Sequence, residues 1–92
     1  MAITFDPLKR DVTLAERGLD FRDADEVFAG QVFERIDERF EYGETRWVTV
    51  GTLRSRMVVV VWTQRGAAQH IISMRKANDR EQARYKARLG RS

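Results

Sequence analysis

Ile71-Ile72-Ser73-Met74-Arg75-Lys76-Ala77-Asn78-Asp79-Arg80-Glu81 is the stretch on which the fold turns. An apolar run gives way to polar residues at Ser73 and Arg75, and Asn78 is followed three positions later by Glu81. That spacing is a capping box: the Asn oxygen takes one orphan amide of a helix start, and the Glu carboxylate reaches back to another. A strand therefore ends where a helix begins. The predicted helix, residues 79–88, carries Arg80, Arg84, Lys86 and Arg88 around Tyr85. Cationic side chains just beyond a strand end form a place where a phosphate can be held. Regular alternation along the strand puts Ile71, Ser73 and Arg75 on one face, and His70, Ile72 and Met74 on the other.

Working back from this stretch, the hydrophobic period stays near two as far as Gly30. The last strand spans residues 69–74, with a turn at Gly66. Residues 57–63 are apolar on both faces and read as a central strand. Residues 51–56 read as a turn, 45–50 as a strand, 37–44 as an acidic connection and 31–36 as a further strand. Before Gly30 the period is helical. Asp6-Pro7 opens a helix, since Asp caps free amides and Pro loses nothing at the first helical position. Leu8, Val12 and Ala15, with Leu19, supply its apolar spacing, and Gly18 its left-handed stop. Asp20 caps a second helix over residues 21–29, with Ala24, Val27 and Phe28 as its apolar stripe. Residues 2–5 form a short strand. The order β-α-α-β-β-β-β-α predicts an α+β fold with antiparallel neighbours and helices on one face.

Ninety-two residues leave room for one domain, residues 1–92. There is no cysteine, which removes disulfides and cysteine zinc sites and suits a reducing cytoplasm. A single histidine, His70, excludes a histidine-rich metal centre. The apolar run 57–62 is far too short to span a bilayer. The net charge of +3 is unevenly spread: from Arg75 onward seven cations, Arg91 among them, face two acids, while the first 74 residues hold ten cations and twelve acids. Such a basic tail on a slightly acidic body suits a polyanion or an acidic partner.

The ordered series Phe5-Asp6-x-x-Lys9, Gly18-x-x-Phe21-x-x-Ala24, Gly43-Glu44-x-Arg46 with Gly51, Ile72-Ser73-x-Arg75-x-Ala77 and Glu81-x-x-x-Tyr85 resembles the BrnT toxins of type II toxin–antitoxin modules. The resemblance implies a RelE-like α+β fold, with two N-terminal helices and a C-terminal helix packed on a twisted, mainly antiparallel sheet. It further implies a ribonuclease that inhibits translation and growth. The partner it implies is a cognate antitoxin with a ribbon-helix-helix DNA-binding part, through which alone the toxin meets operator DNA. Family members typically carry Asn and then Lys-His-Gly after the first Lys. Here those positions read Thr13 and Glu16-Arg17-Gly18, so Arg17 fills the slot of the family histidine.

RNA cleavage of this kind needs a base for the ribose hydroxyl proton, cations for the pentacovalent phosphate and an acid for the leaving oxygen. None of these demands a metal or a cofactor. Arg75, emerging at the strand end with a planar fork, is the first candidate for phosphate contact; the competing role is an ion pair with Glu81. Arg46 matches the family pattern, with a cross-strand ion pair as its alternative. Lys9 lies in a first helix turn, where a cation opposes the dipole. Arg17 is a guanidinium and acts electrostatically if it acts at all. Glu44 is the carboxylate base by family position. Tyr85 either contributes to the chemistry or packs the helix on the sheet. Arg80, Arg84, Lys76 and Arg88 are candidates for holding the RNA backbone. His70 is set aside, because alternation turns it away from Ser73 and Arg75. Trp47 and Trp62 read as packing. The same residues leave open a non-catalytic module that binds the antitoxin or RNA and has lost the histidine.

Overall fold

The computed structural model describes residues 2–39, 41 and 43–89, so Arg91 of the basic tail, and Phe40 and Tyr42 of the acidic connection, lie outside the described residues. In chain order the elements are β1 (Ala2–Phe5), α1 (Pro7–Arg17), a 3-10 turn (Phe21–Asp23), α2 (Ala24–Ala29), β2 (Phe33–Ile36), β3 (Arg46–Leu53), β4 (Arg56–Arg65), β5 (Ala68–Lys76) and α3 (Asp79–Leu89). They build one sheet of order β1-β5-β4-β3-β2. The meander β2 to β5 is antiparallel throughout, as its short connections require, whereas β1 pairs parallel to β5 and makes the sheet mixed.

The local signals act as the residue types dictate. Asp6 Oδ1 accepts from the Leu8 amide at 2.9 Å, Pro7 starts α1, and Gly18 ends it at φ 69° with its amide on the Leu14 carbonyl. At α3 the capping box closes in both directions, Asn78 Oδ1 accepting from the Glu81 amide at 2.8 Å and Glu81 Oε1 from the Asn78 amide at 2.9 Å. The expected second helix is divided: Asp20 caps only a 3-10 turn, and the α-helix proper begins at Ala24. The turn foreseen at 51–56 shrinks to Arg54 and Ser55. Both take positive φ, 50° and 74°, the twist that a two-residue hairpin needs, so β3 runs on to Leu53.

Helices cover both faces of the sheet rather than one. On the first face Phe21, Ala24 and Val27 pack with Val58, Val60, Trp62, Ile71 and Met74. On the second, Tyr85 and Leu89 of α3 pack with Val48, Val50 and Val59. The reason is visible in β4, where residues 58–62 are apolar at every position and so need cover on both sides. Gly51 lies under α2, where a Cβ would come within 2.7 Å of a Val27 methyl, so only glycine lets this helix approach so closely.

Helix α1 departs from its sequence reading. Leu8 is 74% and Val12 53% exposed, and the helix buries no residue. The opposite, polar side docks instead: the Arg10 fork grips both Asp20 oxygens at 2.9 and 2.7 Å, and Arg17 donates to the Met74 carbonyl at 3.0 Å. Arg10 and Arg17 are seven residues apart, almost two full turns, and so share one side of the helix.

Candidate nucleic-acid interface

The arrangement of side chains on the second face follows from one irregularity in β5. Val61 pairs with Ser73, yet Trp62 pairs with Ile71, so Ile72 is the extra residue of a β-bulge. The bulge breaks the alternation expected from sequence. Ile71 and Met74, three apart, both enter the core of the first face. Ser73 and Arg75 stay on the second face, and His70, paired with Thr63, joins them there. The expectation that Ile71 shares a face with Arg75, and that His70 does not, is therefore corrected. Two adjacent isoleucines in the middle of the strand, Ile71 and Ile72, were the available signal.

With His70 on this face, four residues align across four neighbouring strands. Arg46 on β3 opposes Thr63 on β4, Thr63 opposes His70 on β5, and His70 sits beside Thr4 on β1. At roughly 4.8 Å between strands, Arg46 and His70 stand roughly 10 Å apart at their Cα atoms. The His70 Nδ1 and Thr4 Oγ1 atoms are hydrogen-bonded at 2.9 Å, and Thr63 donates from its hydroxyl to the Thr45 carbonyl at 2.6 Å. Glu44 braces the far end, with Arg46 Nε at 3.3 Å and an Arg65 nitrogen at 3.6 Å. Burial lowers the His70 pKa below the ordinary histidine value; the charges of Arg65 and Lys9 add to this, and those of Glu44 and Asp6 oppose it. The ring is thus surrounded by β1, β4, the start of α1 and the connection before β3.

Arg75 lies on the same face, opposite Val59, four residues along β4 from Thr63 and so roughly 13 Å away at ~3.3 Å per residue. Half-buried Val61 and Ser73 form the strip between. Arg75 grips both oxygens of Glu81, at 2.7 and 2.8 Å, which ties the end of β5 to the first turn of α3. That bond, the amide of Asn78 and the charge of Arg35 hold the Glu81 carboxyl down at about 2, against an opposing effect of burial. The Arg10 fork does the same for Asp20, also to about 2. Both carboxylates have folded values below their ordinary 4.5 and 3.8, so their contribution is present above about pH 4.5 and is lost as pH falls through about 2. Urea midpoints measured from pH 6 to pH 2 should fall across that window, and less steeply in Glu81→Gln. An equal slope in the variant would mean that Glu81 is not one of the responsible groups.

The remaining candidates divide. Lys9 is exposed at the start of α1, close enough for its charge to act on His70. Arg17 is at the edge of β5, beyond the reach of β1, which pairs only as far as Ile71, and there it satisfies the Met74 carbonyl. Tyr85 is buried under α3, its ring 5.0 Å from that of Phe33. Lys76, Arg80 and Arg84 are exposed, and the Arg88 guanidinium lies over the Phe33 ring at 4.6 Å. Lys9, Glu44 and Arg46 are thus gathered about the row, Arg75 stands at the other end of the strip, and Arg17 and Tyr85 belong to neither. Trp47 and Trp62 stack on each other at 6.1 Å, and the Trp62 Nε1 donates to Thr49 in the core. Concave surface occurs between α2 and the side chains of Glu34 and Gln69, and also beside Glu44 and Thr45 at one end of the row. An open strip with cations at both ends suits an extended polyanion better than a small molecule. Among the described residues no helix is long and apolar enough to cross a membrane.

No curated protein matches the chain. Residues 5–81, which carry Arg46, Thr63 and His70 of the row, the strip and the Arg75–Glu81 clamp, match the family described as ribonuclease toxin, BrnT, of type II toxin–antitoxin systems, and the chain belongs to that family.

Proposed function

We propose that this chain is an endoribonuclease that cuts RNA across the open strip of its second sheet face, and that a ribbon-helix-helix antitoxin neutralises it by covering that surface. The observation that carries the reading is the alignment of Arg46 with the Thr63–His70–Thr4 row on a face that α3 leaves partly uncovered. A single RNA strand lying along the strip meets Arg46 and Lys9 at one end and Arg75 at the other. Arg80, Arg84 and Arg88 of α3 extend the positive field along the backbone, a contact that weakens with salt and carries no sequence information, whereas Lys76, expected with them, pairs with Val58 and so falls on the first face. Arg46 is the transition-state cation in this arrangement. Arg75 contributes charge while its fork remains on Glu81.

A non-catalytic module that binds antitoxin or RNA is the second reading, favoured by one observation: Arg17, in the family's histidine slot, is committed to the Met74 carbonyl. Expression with and without the adjacent reading frame separates the two. The ribonuclease reading expects growth arrest and cleaved RNA from the chain alone, relief by the neighbouring product, and a complex that survives moderate salt. Normal growth with intact RNA, alongside a stable complex, selects the second reading. Free chain recovered from co-expression removes the antitoxin from both.

A further inference from the structure

Resting on the ribonuclease reading, we infer that His70 is the general base of this chain, held in place by Thr4, and that it supplies the function that the family histidine cannot supply from position 17. The bulge at Ile72 brings His70 onto the face of Arg46, one strand beyond the intervening Thr63. The bond between Nδ1 and Thr4 Oγ1 fixes the ring, and Nε2 makes no hydrogen bond among the described residues. In the tautomer whose Nδ1–H donates to Thr4, the one this role requires, Nε2 carries the lone pair. The competing carboxylate, Glu44, already faces two guanidinium groups, of Arg46 and Arg65. A base must also be unprotonated to act, and the groups around His70 work toward that: burial, Arg65 and Lys9 disfavour the imidazolium, against Glu44 and Asp6.

The step balances without a co-reactant. Nε2 takes the proton of a ribose 2′-hydroxyl, the 2′-oxygen bonds to the adjacent phosphorus, and the bond from phosphorus to the 5′-oxygen of the next nucleotide breaks. The leaving oxygen takes a proton from solvent, and the imidazolium returns one. A 2′,3′-cyclic phosphate and a 5′-hydroxyl result, with the charge of the pentacovalent phosphate facing Arg46. Thr4 touches no reacting atom and acts as a positioning residue.

The test uses the full chain in EDTA, with a mixed-sequence RNA oligonucleotide and an mRNA under translation as substrates. His70→Asn should cut about 10²- to 10⁴-fold more slowly, with recovery on adding imidazole to His70→Gly. The wild-type rate should rise with pH through a single group below the ordinary histidine value, and Thr4→Val should move that limb. Because the chain has one histidine, its ring resonance can be assigned without ambiguity. It should titrate at the pH of the kinetic limb and shift when a 2′-O-methyl RNA, which cannot be cut, is bound. Cleavage by His70→Asn at the wild-type rate, or a kinetic limb that survives in it, overturns the base assignment and leaves the ribonuclease reading standing. Failure of the wild-type chain to cut either substrate overturns both.

Discussion

Arg46→Ala is expected to lower RNA cleavage by about 10²- to 10³-fold, the loss typical of removing one fixed donor from a developing oxyanion. The fold should survive the change. The Arg46–Glu44 contact is a partly exposed pair at 3.3 Å, of a kind worth about 0–1 kcal/mol. Arg46→Lys keeps the charge but loses the planar fork, so its rate should fall between those of the wild type and the alanine variant. Single-turnover rates in EDTA, with thermal midpoints measured in parallel, provide the comparison. A properly folded Arg46→Ala that cuts within threefold of the wild type removes Arg46 from the chemistry.

Phe21→Ala should have the largest effect on stability, about 3–5 kcal/mol lost. Phe21 is fully buried, meets the Phe5 ring edge-on at 6.0 Å and is the largest of the fully buried side chains. A chain of this size is typically stable by only about 5–15 kcal/mol, so the variant gives up about a fifth of the total or more. Urea unfolding followed by tryptophan fluorescence measures it directly. A loss below about 1 kcal/mol would mean that α1 and α2 close over the cavity, contrary to the packing described. The same residue explains a piece of the family pattern. In Gly18-x-x-Phe21-x-x-Ala24, Gly18 takes the left-handed stop of α1, and Phe21 and Ala24 are both fully buried, so the motif maintains the core rather than the chemistry.

What could be read from the sequence was whatever local chemistry decides. Asp6-Pro7, Gly18 and the Asn78–Glu81 box act within a few residues of themselves, and each is found where its residue types demand. The antiparallel meander followed from the change of period after Gly30. The misreadings share one physical origin: they turn on partners distant in sequence. The apolar residues of α1 looked like a buried stripe, but Asp20 and the Met74 carbonyl offered its arginines stronger docking, and the stripe was left outside. Strict alternation in β5 failed because the pairing with β4 shifts by one residue between Val61 and Trp62, a matter between strands at which only the adjacent Ile71 and Ile72 hint. That one residue of slippage also hid His70. Arg75 was legible both as a phosphate fork and as a partner of Glu81, and the geometry realises the second.

The parallel pairing of β1 with β5 has a consequence for the order of events during synthesis. Thr4 is made before its partner His70, which follows 66 positions later. Until β5 exists, β1 has no strand to join, because its single neighbour in the sheet is β5. A nascent chain can therefore form its central hairpins while β1 waits, and the row across four strands is completed only when β5 meets β1. Closing so long a loop costs little more than closing one half its length, about 0.6 kcal/mol per doubling, so the delay is one of timing rather than of stability. A face assembled in this way stays unfinished until β5 has been made.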